Sequence, residues 1–365
     1  MAEGRSGLSA GGYPGLPFDC PVGRMEGVET AAFPAELGDY DNRANRLAWI
    51  AGAGDGFAER VAEARARWGA GRIGVVMGTS TSGIDKLEEV YRARGEGDPI
   101  PPDYSMRHHD NHHAVAGFLR FWLGLSGPAH TVSTACSSSA KALVDAVQMV
   151  ELGLCDAVLT GGVDSLCLTS LNGFEALQLI SRQPCRPCDE TRDGVTIGEA
   201  AALMLVERDA TEGVRVAGYG ESSDGAHMST PPADGAGAAA AMRAALASAG
   251  LAPGDIDYVN MHGTATPLND ASESAAIVAA LGRDVPVASL KGAVGHTLGA
   301  AGALEIVLCA IALEEGLAPG TVGMSRADPA LECNMLGAPR AADLTHVMSN
   351  AFGFGGSNCS VVLSR

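Results

Sequence analysis

From Arg72 onward the chain alternates short β-prone runs with stretches whose apolar residues recur at helical spacing. Ile73 to Met77, Thr131 to Ser133, Ala157 to Thr160 and Ala201 to Val206 read as strands, each bounded by polar or Gly-rich breaks. Beyond Cys136, the apolar positions Ala140, Leu143, Val144 and Val147 fall three or four apart, which predicts a helix beginning just after that cysteine. A polar break, Glu207 to Gly213, precedes a second series. In it, Ile256 to Met261 and Val285 to Leu290 read as buried strands and Ala303 to Leu313 as an apolar helix. The succession predicts an α/β fold in two halves, residues 1–209 and 213–365. Residues 1–40 are Gly/Pro-rich and irregular, and no short-period repeat is visible.

The places where strands give way to loops carry reactive side chains. Cys136 lies in Ser133-Thr134-Ala135-Cys136-Ser137-Ser138-Ser139, at the predicted helix start, where partial positive charge favours thiolate over thiol. Its small neighbours leave room for a substrate carbonyl and supply backbone N–H donors. The competing reading of the residue alone is a buried structural cysteine. Two further loops weigh against that. His262-Gly263-Thr264-Ala265-Thr266-Pro267 follows a predicted buried strand. Lys291-Gly292-Ala293-Val294-Gly295-His296-Thr297-Leu298-Gly299 repeats the layout of strand, Gly-rich loop and helix. A fourth motif, Asn350 to Asn358, surrounds aromatic residues with glycines that permit close backbone approach, which suggests a gate. Each histidine alone is as well explained by packing. A cysteine and two histidines, each at a strand end among small residues, are not.

Those four motifs, in that order, resemble the elongating β-ketoacyl-acyl-carrier-protein synthases, which use Cys-His-His where thiolases and initiating synthases do not. The likeness runs from about Arg72 to the C-terminus. Within the family, Gly78 to Gly83, Ser133 to Ser139, His262 to Asp270 and His296 to Gly302 are most similar to the ketosynthases of aryl polyene pigment clusters. The resemblance implies a thiolase-like fold, a duplicated α-β-α-β-α five-layer sandwich. It implies that Cys136 takes an acyl group from a carrier-protein thioester and that a malonyl-carrier protein then loses carbon dioxide and attacks the acyl-enzyme. His262 and His296 would donate hydrogen bonds to the malonyl thioester carbonyl, and Lys291 would orient the site, with Glu273 and Asp270 as its supporting network. The backbone N–H groups of Cys136 and Phe354 would form the oxyanion hole, with the Phe354 ring as gate. Thr264 and Thr266 would hydrogen-bond the phosphopantetheine arm. No bound cofactor or metal is implied; the substrates arrive on phosphopantetheine. The partners implied are an acyl carrier protein and either an identical subunit or one resembling a chain-length factor. The acyl chain most in keeping with the finer likeness is a polyenoyl, aryl-capped one; a housekeeping fatty-acid elongating synthase is the alternative. A degradative thiolase would need a second catalytic cysteine near the C-terminus, and Cys359 does not match that pattern. A chain-length factor would lack the nucleophile. The family's chains normally begin with a short strand of the central sheet, for which residues 1–40 offer no equivalent.

Composition narrows the remainder. With 365 residues, 46% of them hydrophobic, and 48 glycines, the chain can bury a large core with many tight turns. No apolar run is long enough to span a bilayer and no basic-then-apolar leader opens the chain, so it reads as cytoplasmic. Nine cysteines in no metal-like spacing read as reduced thiols, including the C-x-x-C pair Cys185 and Cys188. A net charge of −18 argues against nucleic acid and sets a difficulty for docking an acidic carrier protein. Arg43 and Arg46, one helical turn apart, and Arg182, where the family commonly has a docking arginine, are the candidate basic patch. His108-His109-Asp110-Asn111-His112-His113 is read as a non-metal segment near the acyl pocket and dimer interface.

Overall fold

The computed structural model describes residues 3–365. The first half is organised on a four-stranded sheet in the order Ala129–Val132, Ile73–Gly78, Ala157–Asp164, Ala200–Glu207. The first three run parallel and the fourth antiparallel. The second half repeats the plan. Pro286–Ala288, Tyr258–Asn260 and His346–Gly353 run parallel, Ser357–Ser364 returns antiparallel, Asn334–Met335 extends one edge and Arg215–Ser223 the other. The strands Ile73–Gly78, Ala157–Asp164 and Tyr258–Asn260 are buried along their whole length and His346–Gly353 along most of it, as strands covered on both faces must be.

Between the sheets lie the helices Ser138–Glu151 and Ala301–Glu315, which pack on each other and on the sheets. Gly302 permits this contact: a Cβ there would stand 2.8 Å from the backbone N of Ala140. Arg43–Ala53 and Ala114–Trp122 cover the outer face of the first sheet; Ala236–Ala249 and Pro267–Leu281 cover that of the second. The result is the duplicated five-layer sandwich. It places the C-terminal ends of equivalent strands, and the loops that follow them, at the pseudo-symmetric centre.

The strands expected from the sequence all form, with ends shifted by a few residues. The predicted Thr131–Ser133 strand is Ala129–Val132, because Ser133 already belongs to the turn that presents Cys136. As expected, the Gly/Pro-rich start adds no strand to the first sheet. Val22–Gly23 pairs with Ile197–Gly198 outside it. Arg215–Ser223 pairs with the last strand of the second half, whereas among the described residues no strand pairs with the outer edge of Ala200–Glu207. No helix of the described residues is long and apolar enough to cross a membrane.

Candidate active site

Cys136 sits in a strained corner between the strand Ala129–Val132 and the helix Ser138–Glu151. Ala135 has φ +53°, a left-handed conformation unfavourable for a residue with a Cβ. Ser138 Oγ holds it there, donating to the Ala135 carbonyl at 2.6 Å while accepting from Thr134 N at 2.9 Å. The strand His346–Gly353 ends against this corner, where a Cβ on Gly353 would meet Thr134 O at 2.6 Å. Only glycine allows the Phe354 loop to come this close.

The helix start was expected to favour the thiolate. Instead, burial of the sulfur pushes Cys136 up to about 11, against the pull of the Lys291 charge and the N–H of Phe354. Desolvation of the anion outweighs the helix-end field in a side chain that is only 4% exposed. Burial thus favours the thiol in the resting side chain. Its proton has a nearby acceptor, since His296 Nε2 lies 3.0 Å from Cys136 Sγ.

Both histidines are held by their backbones. The His262 and Gly263 N–H groups donate to the two carboxylate oxygens of Glu273, each at 2.8 Å, fixing the turn after strand Tyr258–Asn260. His296 N donates to Thr196 O at 2.7 Å, and Gly198 N donates to His296 O at 2.9 Å. The rings meet edge to face with centroids 5.2 Å apart. Burial, and next the Lys291 charge, hold both imidazoles well below the ordinary histidine range, so both are neutral at physiological pH.

Lys291 decides what His262 can do. Its ammonium is fully buried, pairs with Glu305 Oε1 at 2.5 Å and lies 3.3 Å from His262 Nδ1. An ammonium can only donate, so Nδ1 accepts and the ring hydrogen is on Nε2. The ligating atoms of Cys136, His262 and His296 lie within 4.8 Å of one another, close enough to suggest a metal centre. An Nε2–H is a donor and not a ligand, so this arrangement suits a developing oxyanion better than a cation.

The supporting network differs from the expected one. Glu273 braces the His262 turn. Asp270 accepts from Cys188 N at 2.9 Å and Ala265 N at 3.2 Å and pairs with Arg192 at 3.4 Å. The carboxylate that neutralises Lys291 is Glu305, on the helix Ala301–Glu315. It was legible as the lone charge inside the apolar run Ala301 to Leu313, since buried carboxylates are rare unless paired. Replacing Glu305 with leucine strands a buried ammonium. Denaturant unfolding should show a loss of about 3–5 kcal/mol, whereas Glu305→Gln should lose less.

A cavity of about 340 Å³ opens from Cys136, His262 and His296 past Thr264 and Thr266 to the surface. The two threonine hydroxyls are 2.9 Å apart on its wall. Phe354 is 36% exposed at the mouth, its ring 5.6 Å from that of Phe174.

The expected docking arginines fare unequally. Arg43 is buried, bonded to Glu199 at 2.5 and 2.7 Å, to Glu29 at 2.5 Å and to the Met25 carbonyl. That network ties the N-terminal segment to the core and leaves no charge to offer. Arg46 chelates Asp41 and the carbonyls of residues 28, 29 and 31. Arg182 remains on the surface, paired with Glu175 and lying over the Phe18 ring. The histidine segment points in several directions: His108 against Tyr40, His109 accepting from Ser105 N, His112 Nε2 3.2 Å from the Ser80 carbonyl. Cys185 and Cys188 are free thiols, and Cys185 Sγ donates to the Lys291 carbonyl.

Comparison with known proteins identifies this architecture. Residues 46–212 match the β-ketoacyl synthase N-terminal domain and residues 214–325 its C-terminal domain. The chain belongs to the β-ketoacyl synthase family. It is 36% identical to 3-oxoacyl-[acyl-carrier-protein] synthase 2 of Rhizobium meliloti over 315 residues, 80% of this chain and 74% of the relative. Among solved structures it resembles the ketosynthase ApeO, in complex with its chain length factor ApeC, from Xenorhabdus doucetiae. That likeness has a TM-score of 0.88 and 38% identity over 98% of this chain and 89% of the other. The ishigamide ketosynthase/chain length factor is also similar, with a TM-score of 0.85 and 28% identity over 99% and 92%. The enzyme is thus an acyltransferase of the 3-oxoacyl-acyl-carrier-protein synthase class.

Proposed function

We propose that the enzyme condenses an acyl group held on Cys136 with a malonyl unit, both delivered on phosphopantetheine by an acyl carrier protein. The observation that carries this reading is the convergence on one sulfur of His296 Nε2, the donor His262 Nε2–H fixed by Lys291, and the Phe354 N–H. In the first half-reaction Cys136 Sγ attacks the acyl thioester carbonyl. The tetrahedral oxyanion is received by the N–H groups of Cys136 and Phe354, and the departing carrier thiol takes the proton that Sγ surrenders through His296. In the second, the bond to the malonyl carboxylate breaks and carbon dioxide leaves. The electron pair becomes an enolate whose oxygen accepts from His262 Nε2–H and, in the tautomer that carries its ring hydrogen on Nε2, from His296. The enolate carbon then attacks the acyl-Cys136 carbonyl, expelling the thiolate and releasing a β-ketoacyl carrier protein. Thr264 and Thr266 line the path of the phosphopantetheine arm, and Phe354 closes it.

The acyl chain is read as unsaturated, polyenoyl and aryl-capped, with a chain-length-factor-like subunit completing the pocket. The likeness to ApeO supports this. A conjugated chain is stiff and loses little conformational entropy on binding. Elongation assays with conjugated and saturated acyl carrier proteins, with and without a co-expressed partner, test it. Faster extension of saturated chains by the homodimer would leave the ketosynthase and remove the polyene.

Arg182 is the docking arginine that the surface leaves standing. Arg182→Glu should raise KM for carrier-protein substrates at least several-fold, increasingly at low salt, and leave small thioester mimics little affected. Equal loss on both would count against docking.

A further inference from the structure

The geometry points to Asp164 as a positioning residue that holds the turns presenting Cys136 and His296 in register; this rests on the reading of those two side chains as the reacting groups. Asp164 ends the strand Ala157–Asp164, is 0% exposed, and among the described residues has no cationic partner within ion-pair distance. Instead it accepts from five donors in two loops. Thr79 Oγ1 (2.6 Å), Ser80 N (3.0 Å), Thr81 N (2.8 Å) and Thr81 Oγ1 (2.9 Å) come from the loop after Ile73–Gly78. Gly299 N (2.6 Å) comes from the His296 loop. Burial raises the carboxyl, and these donors oppose that shift; the three backbone N–H groups can only donate and so favour the carboxylate.

Each loop adjoins a strained residue. Ser80 Oγ donates at 3.2 Å to the carbonyl of Ala135, whose φ of +53° aims Cys136. Gly299 follows Leu298, also at φ +53°, two residues past His296. Such conformations are costly for residues with a Cβ and persist only where the surroundings fix them. The junction is tight: a Cβ on Gly299 would stand 2.7 Å from both Asp164 Oδ2 and Ser80 N. The anchor also reaches the histidine segment, because Thr79 Oγ1 accepts from Ser82 N, Ser82 Oγ donates to Asn111 O, and the Ser80 carbonyl meets His112.

The test separates positioning from support. Asp164→Asn keeps the shape but removes the charge and turns an amide donor toward a cluster of donors. It should lower kcat for condensation about tenfold or more with KM little changed, since small misplacements at a reacting centre are costly. Removing an anion close to the sulfur should also move the pH profile of Cys136 alkylation by iodoacetamide to lower pH. Faster alkylation with slower condensation, at an unchanged melting temperature, supports the inference. Both rates unchanged, or both falling with the melting temperature, overturns it. Should the asparagine variant not fold, Ser80→Ala removes only the link to Ala135. It should lower kcat several-fold with the alkylation profile unmoved, and an unaltered kcat would overturn the inference. Alkylation needs no carrier substrate, so it reads Asp164 even if the condensation reading fails.

Discussion

Replacing Cys136 with alanine is expected to abolish acyl transfer and condensation together, a loss on the order of 10⁶ in turnover if the site behaves as other nucleophile-base pairs do. Intact-protein mass spectrometry after incubation with an acyl carrier protein should show one added acyl mass in the parent and none in the variant. The remaining thiols give this test its force. Cys155, Cys167, Cys309 and Cys359 are buried, and burial raises all four thiols, the last three well above the ordinary range. Cys333 is the least enclosed of the nine and is the natural competitor. Acylation that persists in Cys136→Ala and maps to Cys333 would sink the assignment. Because Cys136 is held up at about 11, its alkylation should also rise close to tenfold per pH unit between about pH 7 and 10. A profile already flat at pH 8 would mean that the resting sulfur is a thiolate.

His262→Ala should reduce malonyl decarboxylation by about 10²–10³ while leaving acylation of Cys136 much less affected. In the proposed mechanism His262 stabilises an oxyanion that exists only in the second half-reaction, and only that transition state loses a donor. His296 differs, because its Nε2 is 3.0 Å from the sulfur and serves both halves. His296→Ala should slow acylation and decarboxylation alike. Carbon dioxide release and acyl-enzyme formation, measured separately for the two variants, distinguish the roles. Equal effects of both substitutions on both steps would show that the two imidazoles are not divided in this way.

The chain by itself determined the alternation of strands and helices, since a buried parallel strand and a helix at a layer interface each need a local apolar pattern. It also determined the four reactive motifs, because a thiol, an imidazole or a glycine cannot be exchanged for another residue at those turns. What needed the tertiary structure was everything set by which distant segments meet. Lys291 finds its carboxylate in Glu305 and not in Glu273 or Asp270, because the ion pair forms between the short helix Lys291–Val294 and the helix Ala301–Glu315. The thiol state of Cys136 follows from how completely neighbouring loops seal the sulfur, which a helix-start motif cannot reveal. Arg43 looked like a surface cation one turn from Arg46, and it is buried because Glu199, on a distant segment, meets it. Asp164 carried no motif signal, for its five donors come from loops that only folding brings to one carboxylate. Local pattern fixes elements and turn chemistry; burial and pairing of charge depend on which elements meet, and that is decided in three dimensions.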